Sequence, residues 1–125
     1  MALSQLSKKR LDTCHTDIQK LVLAASEVLP SLCVLCGHRG EEEQDRAFKS
    51  GYSKLKFPQS KHNKTPSRAV DLCIINPDGT IPWNANEPWQ LLMKVMKAQA
   101  LKLGVEIVCG GSWRTRDWPH FELKG

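Results

Sequence analysis

Two polar stretches of this chain gather side chains that bind metals and move protons. One holds Ser60, Lys61 and His62 and runs into Arg68-Ala69-Val70-Asp71. The other holds Asp117-Trp118-Pro119-His120. Zinc hydrolases commonly draw three protein ligands from His and carboxylate side chains and keep one position open for water. His62, Asp71 and His120 can supply that set. A loop that folds back onto its own strand brings His62 to Asp71, and His120 must then arrive from a neighbouring strand. Asp117 precedes His120 in the same loop. That spacing can set a carboxylate beside a metal without ligating it, which is where a general base for water belongs. Arg39, flanked by Gly37 and Gly40, can steady an oxyanion. A plainer reading exists for the same residues, since the four histidines of the chain can simply be solvated or hydrogen-bonded. His15 takes that plainer reading, and His38 either lines a cleft or caps a strand.

The elements that must position these groups follow from periodicity. Leu3, Leu6, Leu11, Ile18, Leu21, Val22, Ala25, Val28 and Leu29, with Cys14 between, predict one amphipathic helix that stops at Pro30. Leu32 to Cys36 reads as a strand. Glu41 to Lys49 reads as a helix with acids in its first turn. Tyr52 to Arg68 is a long polar loop, and a loop of that length in a small domain is usually functional. Ala69 to Ile75 is a strand, Asn76-Pro77-Asp78-Gly79 a turn, and Thr80 to Trp83 its return strand. Glu87 to Leu103 is a second amphipathic helix closed by Gly104. Val105 to Cys109 and His120 to Leu123 are strands around an irregular loop. The sum is an α+β fold with a small, largely antiparallel sheet, two main helices and long active-site loops.

Composition agrees with one domain spanning 1–125. Of the 125 residues, 41% are hydrophobic and 25% charged, which excludes a disordered or collagen-like chain. No GxGxxG or Walker loop is present. The longest apolar stretch, Leu21 to Cys36, contains Glu27 and Pro30 and cannot span a bilayer. Ser4 to Lys20 ahead of it is too long and polar for a secretory signal, so synthesis in the cytoplasm is expected. Five cysteines, an odd count, fit a reducing compartment and free thiols. Cys33, Cys73 and Cys109 sit in apolar runs and read as small buried hydrophobes. Cys33-x-x-Cys36 has the spacing of a zinc half-site, but no second such pair exists to complete it. The net charge of +5 favours an anionic partner. The basic residues are scattered rather than clustered with aromatics. They form a solvated face or attract an anionic polymer other than nucleic acid.

Three segments in order resemble a known family. Cys36-Gly37-His38-Arg39-Gly40-Glu41-Glu42-Glu43-Gln44 resembles a Gly-Tyr-Arg-x-x-x-x-Gln segment. Ser60-Lys61-His62-Asn63 with Pro66-Ser67-Arg68-Ala69-Val70-Asp71-Leu72 resembles Ser-x-His … Ala-x-Asp. Gly110-Gly111-Ser112-Trp113 with Asp117-Trp118-Pro119-His120-Phe121-Glu122-Leu123 resembles Gly-Gly-Asp-Trp … Asp-x-Pro-His-Phe-Glu. These segments mark the zinc peptidases that include the VanX and VanY D-alanyl-D-alanine hydrolases and the phage L-alanyl-D-glutamate endopeptidases, with a Hedgehog/D,D-peptidase-like fold. The resemblance implies that His62, Asp71 and His120 bind Zn2+, that Asp117 is the catalytic base and that Arg39 steadies the transition state. It also implies that Ser60 helps to hold the site or the substrate. Trp113 and Trp118 flank this site and can line a substrate groove or serve as packing. Asp117 resembles the phage branch, since VanX-type dipeptidases carry Glu there. The Asn63 to Val70 stretch is longer than in many members, and Ser112 stands where many have Asp. The implied substrate is the L-Ala–D-Glu bond of bacterial peptidoglycan, cleaved by a monomer with no nucleic acid and no stable membrane association. Such endolysins reach the wall once the membrane is permeabilised. A D-Ala–D-Ala carboxypeptidase or a noncatalytic wall-binding module is the alternative.

Overall fold

The first apolar repeat does not run through as one helix. In the computed structural model, which describes residues 3–125, it divides into α1 (Gln5–Leu11) and α2 (Thr16–Val28). The break has a tertiary cause. The His15 N–H donates to the Ser67 carbonyl at 2.8 Å and the Ser67 N–H to the Thr13 carbonyl at 2.9 Å. Backbone groups that would have continued the helix are therefore used to bridge to the long loop. His15 Nδ1 then accepts from the Asp17 N–H at 3.0 Å and caps α2.

The remaining elements are β1 (Leu32–Cys36), α3 (Glu41–Lys49), β2 (Ala69–Ile74), α4 (Glu87–Leu103), β3 (Ile107–Cys109) and β4 (His120–Leu123). Short 3-10 turns cover Lys61–Asn63 and Gly110–Ser112. The Asn76 turn forms, with Gly79 at φ 88°, but the return strand expected at Thr80 to Trp83 does not pair. Pro82 has no N–H to give a ladder, and its carbonyl instead accepts from the Trp89 indole at 2.9 Å. Trp83 stacks on Trp89 with ring centroids 5.4 Å apart.

The fold is α+β with one antiparallel sheet in the order β1-β2-β4-β3. β1 is an edge strand, and α1 covers it. The Val34 N–H donates to Ser7 Oγ at 3.0 Å, and Arg10 Nη1 donates to the Val34 carbonyl at 3.0 Å. Val70 and Leu72 of β2 join a core with Trp89, Leu92 and Met96 of α4 and Ile18, Leu21 and Val22 of α2. Each large side chain buried there contributes roughly 1.5–3 kcal/mol. Asp71, between Val70 and Leu72, must face the opposite side of the sheet.

Register decides what meets Asp71. On β4 it pairs with His120, and on β1 with Cys36. The β1 pairing is interrupted by a bulge between Val34 and Cys36. Without the extra residue, Leu35 would stand opposite Asp71. Directly paired residues share a face, so Cys36, Asp71 and His120 form one row across three strands. Among the described residues, no helix is long and apolar enough to cross a membrane.

Candidate metal centre

The three residues expected to share a cation converge. Asp71 is 3% exposed. Its Oδ1 lies 3.3 Å from His62 Nε2 and 3.4 Å from His120 Nδ1. His62 is supplied by the 3-10 turn, which Ser60 caps: Ser60 Oγ accepts from the His62 N–H at 3.2 Å, and the Ser60 N–H donates to Asn63 Oδ1 at 3.0 Å. Ser60 thus positions a candidate ligand.

Hydrogen bonds on the far side of each ring fix what faces Asp71. His62 Nδ1 lies 2.7 Å from the Gly37 carbonyl, which can only accept, so Nδ1 carries the hydrogen and Nε2 the lone pair. His120 Nε2 lies 2.7 Å from Glu122 Oε1, and Glu122 Oε2 pairs with Lys61 Nζ at 3.0 Å. The lone pair of His120 is therefore on Nδ1. Electron-rich atoms meet with no hydrogen between them, and His62 Nε2 and Asp71 Oδ1 are buried without hydrogen-bond partners. Only a cation resolves this, either a proton or a metal. Protons are the metal-free answer. Burial acts most strongly and opposes charge on His62, yet Asp71 and Cys36 outweigh it and push its pKa up to about 10. Burial likewise opposes charge on His120, but Asp71 and Glu122 raise it above its ordinary value. Asp71 is held well below the usual carboxylate range, because the two imidazoles outweigh its burial.

A metal fits the same place. Ligands 2.0–2.1 Å from zinc in a tetrahedron stand about 3.3 Å apart, close to the separations Asp71 makes with both histidines. Cys36 Sγ, His62 and Asp71 offer ligand atoms within 4.8 Å of one another, a group that does not include His120. Cys33 is not part of this group, because it pairs with Cys73 on β2 and packs against the core.

Arg39 is buried at the wall of the centre. Its guanidinium donates to Gln44 Oε1 at 3.0 Å and to Asp71 Oδ2 at 3.5 Å, while its backbone N–H donates to the His62 carbonyl at 2.8 Å. The fully buried Gln44 ties Arg39 to Asn63 and to the Leu55 carbonyl. Gln44, Asn63 and Glu122 lie inside the matched segments, yet their types and spacing gave them no task. Their role is visible only as hydrogen bonds. Glu122→Gln weakens the charge-assisted bond that orients His120, and we expect metal affinity to fall about 10–100-fold, read by chelator competition.

A cleft of about 950 Å³ opens over the centre. Arg39, Ser60, His62, Asp71, Asp117, His120 and Trp113 line it. Trp113 sits tilted against the His120 ring at 5.0 Å between centroids. Trp118 does not line the cleft. Its ring packs toward the core and fills the space beside Gly111, where a Cβ would lie 2.6 Å from it. His38 is also outside, with Nε2 3.3 Å from Thr65 Oγ1. Asp117 is held by its backbone, with its N–H donating to the Gly110 carbonyl at 3.0 Å and its carbonyl accepting from the His120 N–H at 3.1 Å. Gly110 must be small, since a Cβ there would collide with the Asp117 carbonyl and lie 2.9 Å from the His120 Cβ. Burial, followed by the charge of Asp71, pushes the Asp117 carboxyl above its ordinary pKa, against the pull of His120, His62 and Arg39.

Comparison with known proteins decides among the enzymes this centre can serve. A family model described as phage L-alanyl-D-glutamate peptidase matches residues 1–124. The chain belongs to this family. An L-alanyl-D-glutamate peptidase of Escherichia phage T5 is 29% identical over 120 residues, covering 94% of this chain and 85% of its own length. The Serratia marcescens L-Ala D-Glu endopeptidase ChiX has the same fold, with a TM-score of 0.82 at 24% identity over 98% of this chain and 90% of that one. Family membership makes the chain an enzyme of the peptidase class, in agreement with the endolysin branch read from Asp117 and with the α+β fold.

Proposed function

We propose that this chain is a zinc-dependent peptidase that hydrolyses the L-alanyl-D-glutamate bond of peptidoglycan stem peptides. His62, Asp71 and His120 would hold the metal. The observation that carries this is the pair of buried, unpartnered atoms, His62 Nε2 and Asp71 Oδ1, facing each other at 3.3 Å. When bound there, zinc supplies Lewis acidity that activates water and polarises a carbonyl. Asp117 accepts the proton of the attacking water at its carboxylate and delivers it to the leaving nitrogen. Burial raises its pKa above the ordinary carboxylate value in the metal-free protein. Arg39 faces the cleft as a buried cation. It holds Asp71 and offsets the negative charge that grows on the carbonyl oxygen. Trp113 flanks the substrate. The surplus of basic residues favours approach to an anionic wall polymer, an attraction that salt weakens.

Two measurements test the reading. Purified peptidoglycan is digested with and without a chelator, and the new termini are identified by mass spectrometry. We expect new amino groups on D-glutamate that vanish with chelator. Free D-alanine points to a carboxypeptidase, and absence of product to a binding module. Second, metal uptake competes with the protons on the histidines. Both imidazoles are raised in the metal-free protein, so zinc binding at pH 7 releases about one to two protons. Affinity then falls as pH falls. Calorimetry in buffers of different ionisation enthalpy reads this, and a binding enthalpy independent of buffer contradicts it.

A further inference from the structure

The cleft carries more positive charge than the hydrolysis uses. Arg39, Lys54, Lys61, Arg114 and Arg116 line it, against Asp71, Asp117 and Glu122. Two of these cations are occupied, Arg39 by Asp71 and Lys61 by Glu122. Among the described residues, Lys54, Arg114 and Arg116 have no ion-pair partner. Arg114 and Arg116 share a loop with Asp117, whose backbone N–H is tied to the Gly110 carbonyl at 3.0 Å. The Arg116 guanidinium is steadied from one side. Its Cζ lies 5.1 Å from the centroid of the Trp118 ring, and that ring is itself packed over Gly111. Both arginines are exposed, so their charge is not spent on a protein carboxylate.

The direction of the reaction fixes which part of the substrate meets this loop. Asp117 hands its proton to the leaving nitrogen, so the residue on that nitrogen lies against the Asp117 loop. In an L-alanyl-D-glutamate bond that residue is D-glutamate, and its α-carboxylate hangs from the same carbon as the nitrogen. We propose that Arg114 and Arg116 form the seat of this α-carboxylate and make the enzyme select stem peptides in which it is free over those in which it is amidated. A guanidinium takes a carboxylate through paired, charge-assisted hydrogen bonds. A carboxamide carries no charge and turns N–H donors toward a group that can only donate. The proposal rests on the L-alanyl-D-glutamate reading above and names the form of substrate that the same site prefers.

The test uses the full zinc-loaded chain and two synthetic stem peptides, N-acylated at L-alanine. They are identical except that the D-glutamate α-carboxyl is free in one and amidated in the other. We expect kcat/KM to favour the free carboxyl about 10–100-fold, mostly through KM. Arg114→Gln combined with Arg116→Gln brings that ratio close to one, by loss on the free-carboxyl peptide. Arg116→Gln alone lowers it part of the way. Lys9→Gln combined with Lys102→Gln removes the same charge from α1 and α4, outside the cleft, and keeps the ratio. Equal kcat/KM for the two peptides in the native enzyme overturns the proposal. So does a ratio that survives the double arginine variant, or one that falls as far in the double lysine variant. Each of these leaves the hydrolysis itself standing. Cleavage of neither peptide overturns the L-alanyl-D-glutamate reading and the proposal together.

Discussion

Asp117→Asn is expected to retain a full complement of zinc and to cleave peptidoglycan about 10²–10⁴-fold more slowly in kcat/KM, the usual worth of a positioned acid–base group. The substitution is close to isosteric. The backbone bonds that seat residue 117 on Gly110 and His120 do not involve its side chain. What is lost is the ability to accept a proton. Carboxylate burial and the nearby charge of Asp71 raise the pKa of the native group in the metal-free protein. Steady-state rates alongside elemental analysis separate loss of the base from loss of metal. A native rate in Asp117→Asn contradicts the mechanism.

The second large effect is on the metal itself. His62→Ala removes the only candidate ligand that comes from outside the sheet, and with it one of the two unpartnered atoms. Bound zinc should fall from one per chain to near none under chelator-buffered conditions, and hydrolysis should fall to background. His120→Ala should do the same. Neither change strips the core, because Val70, Leu72 and the α4 stripe face away from the centre. Circular dichroism and thermal unfolding check that the fold persists. Zinc retained at native affinity in His62→Ala contradicts the assignment.

Local patterns made α3, α4, β1, β2 and β4 legible in the sequence, since each has its own periodicity and stop signal. The break between α1 and α2 was not legible. Its cause is the pairing of Thr13 and His15 with Ser67, far away in the chain. The return strand after Asn76 failed for a local reason that Pro82 already carried. His62, Asp71 and His120 were legible because metal chemistry restricts residue type and the matched segments fixed their order. Cys36 was missed as a neighbour of Asp71 because a β-bulge changes register by one residue and leaves no mark in composition. The sequence leaves Trp118 between groove and packing, since nothing in the loop sequence says that the ring turns onto Gly111.

The most direct test is anomalous diffraction at the zinc edge from crystals of the zinc-loaded protein. A single peak about 2.1 Å from His62 Nε2, Asp71 Oδ1 and His120 Nδ1, beside Asp117 in the cleft, is the predicted result. A peak elsewhere, or a structure in which those three atoms share no ion, contradicts the account.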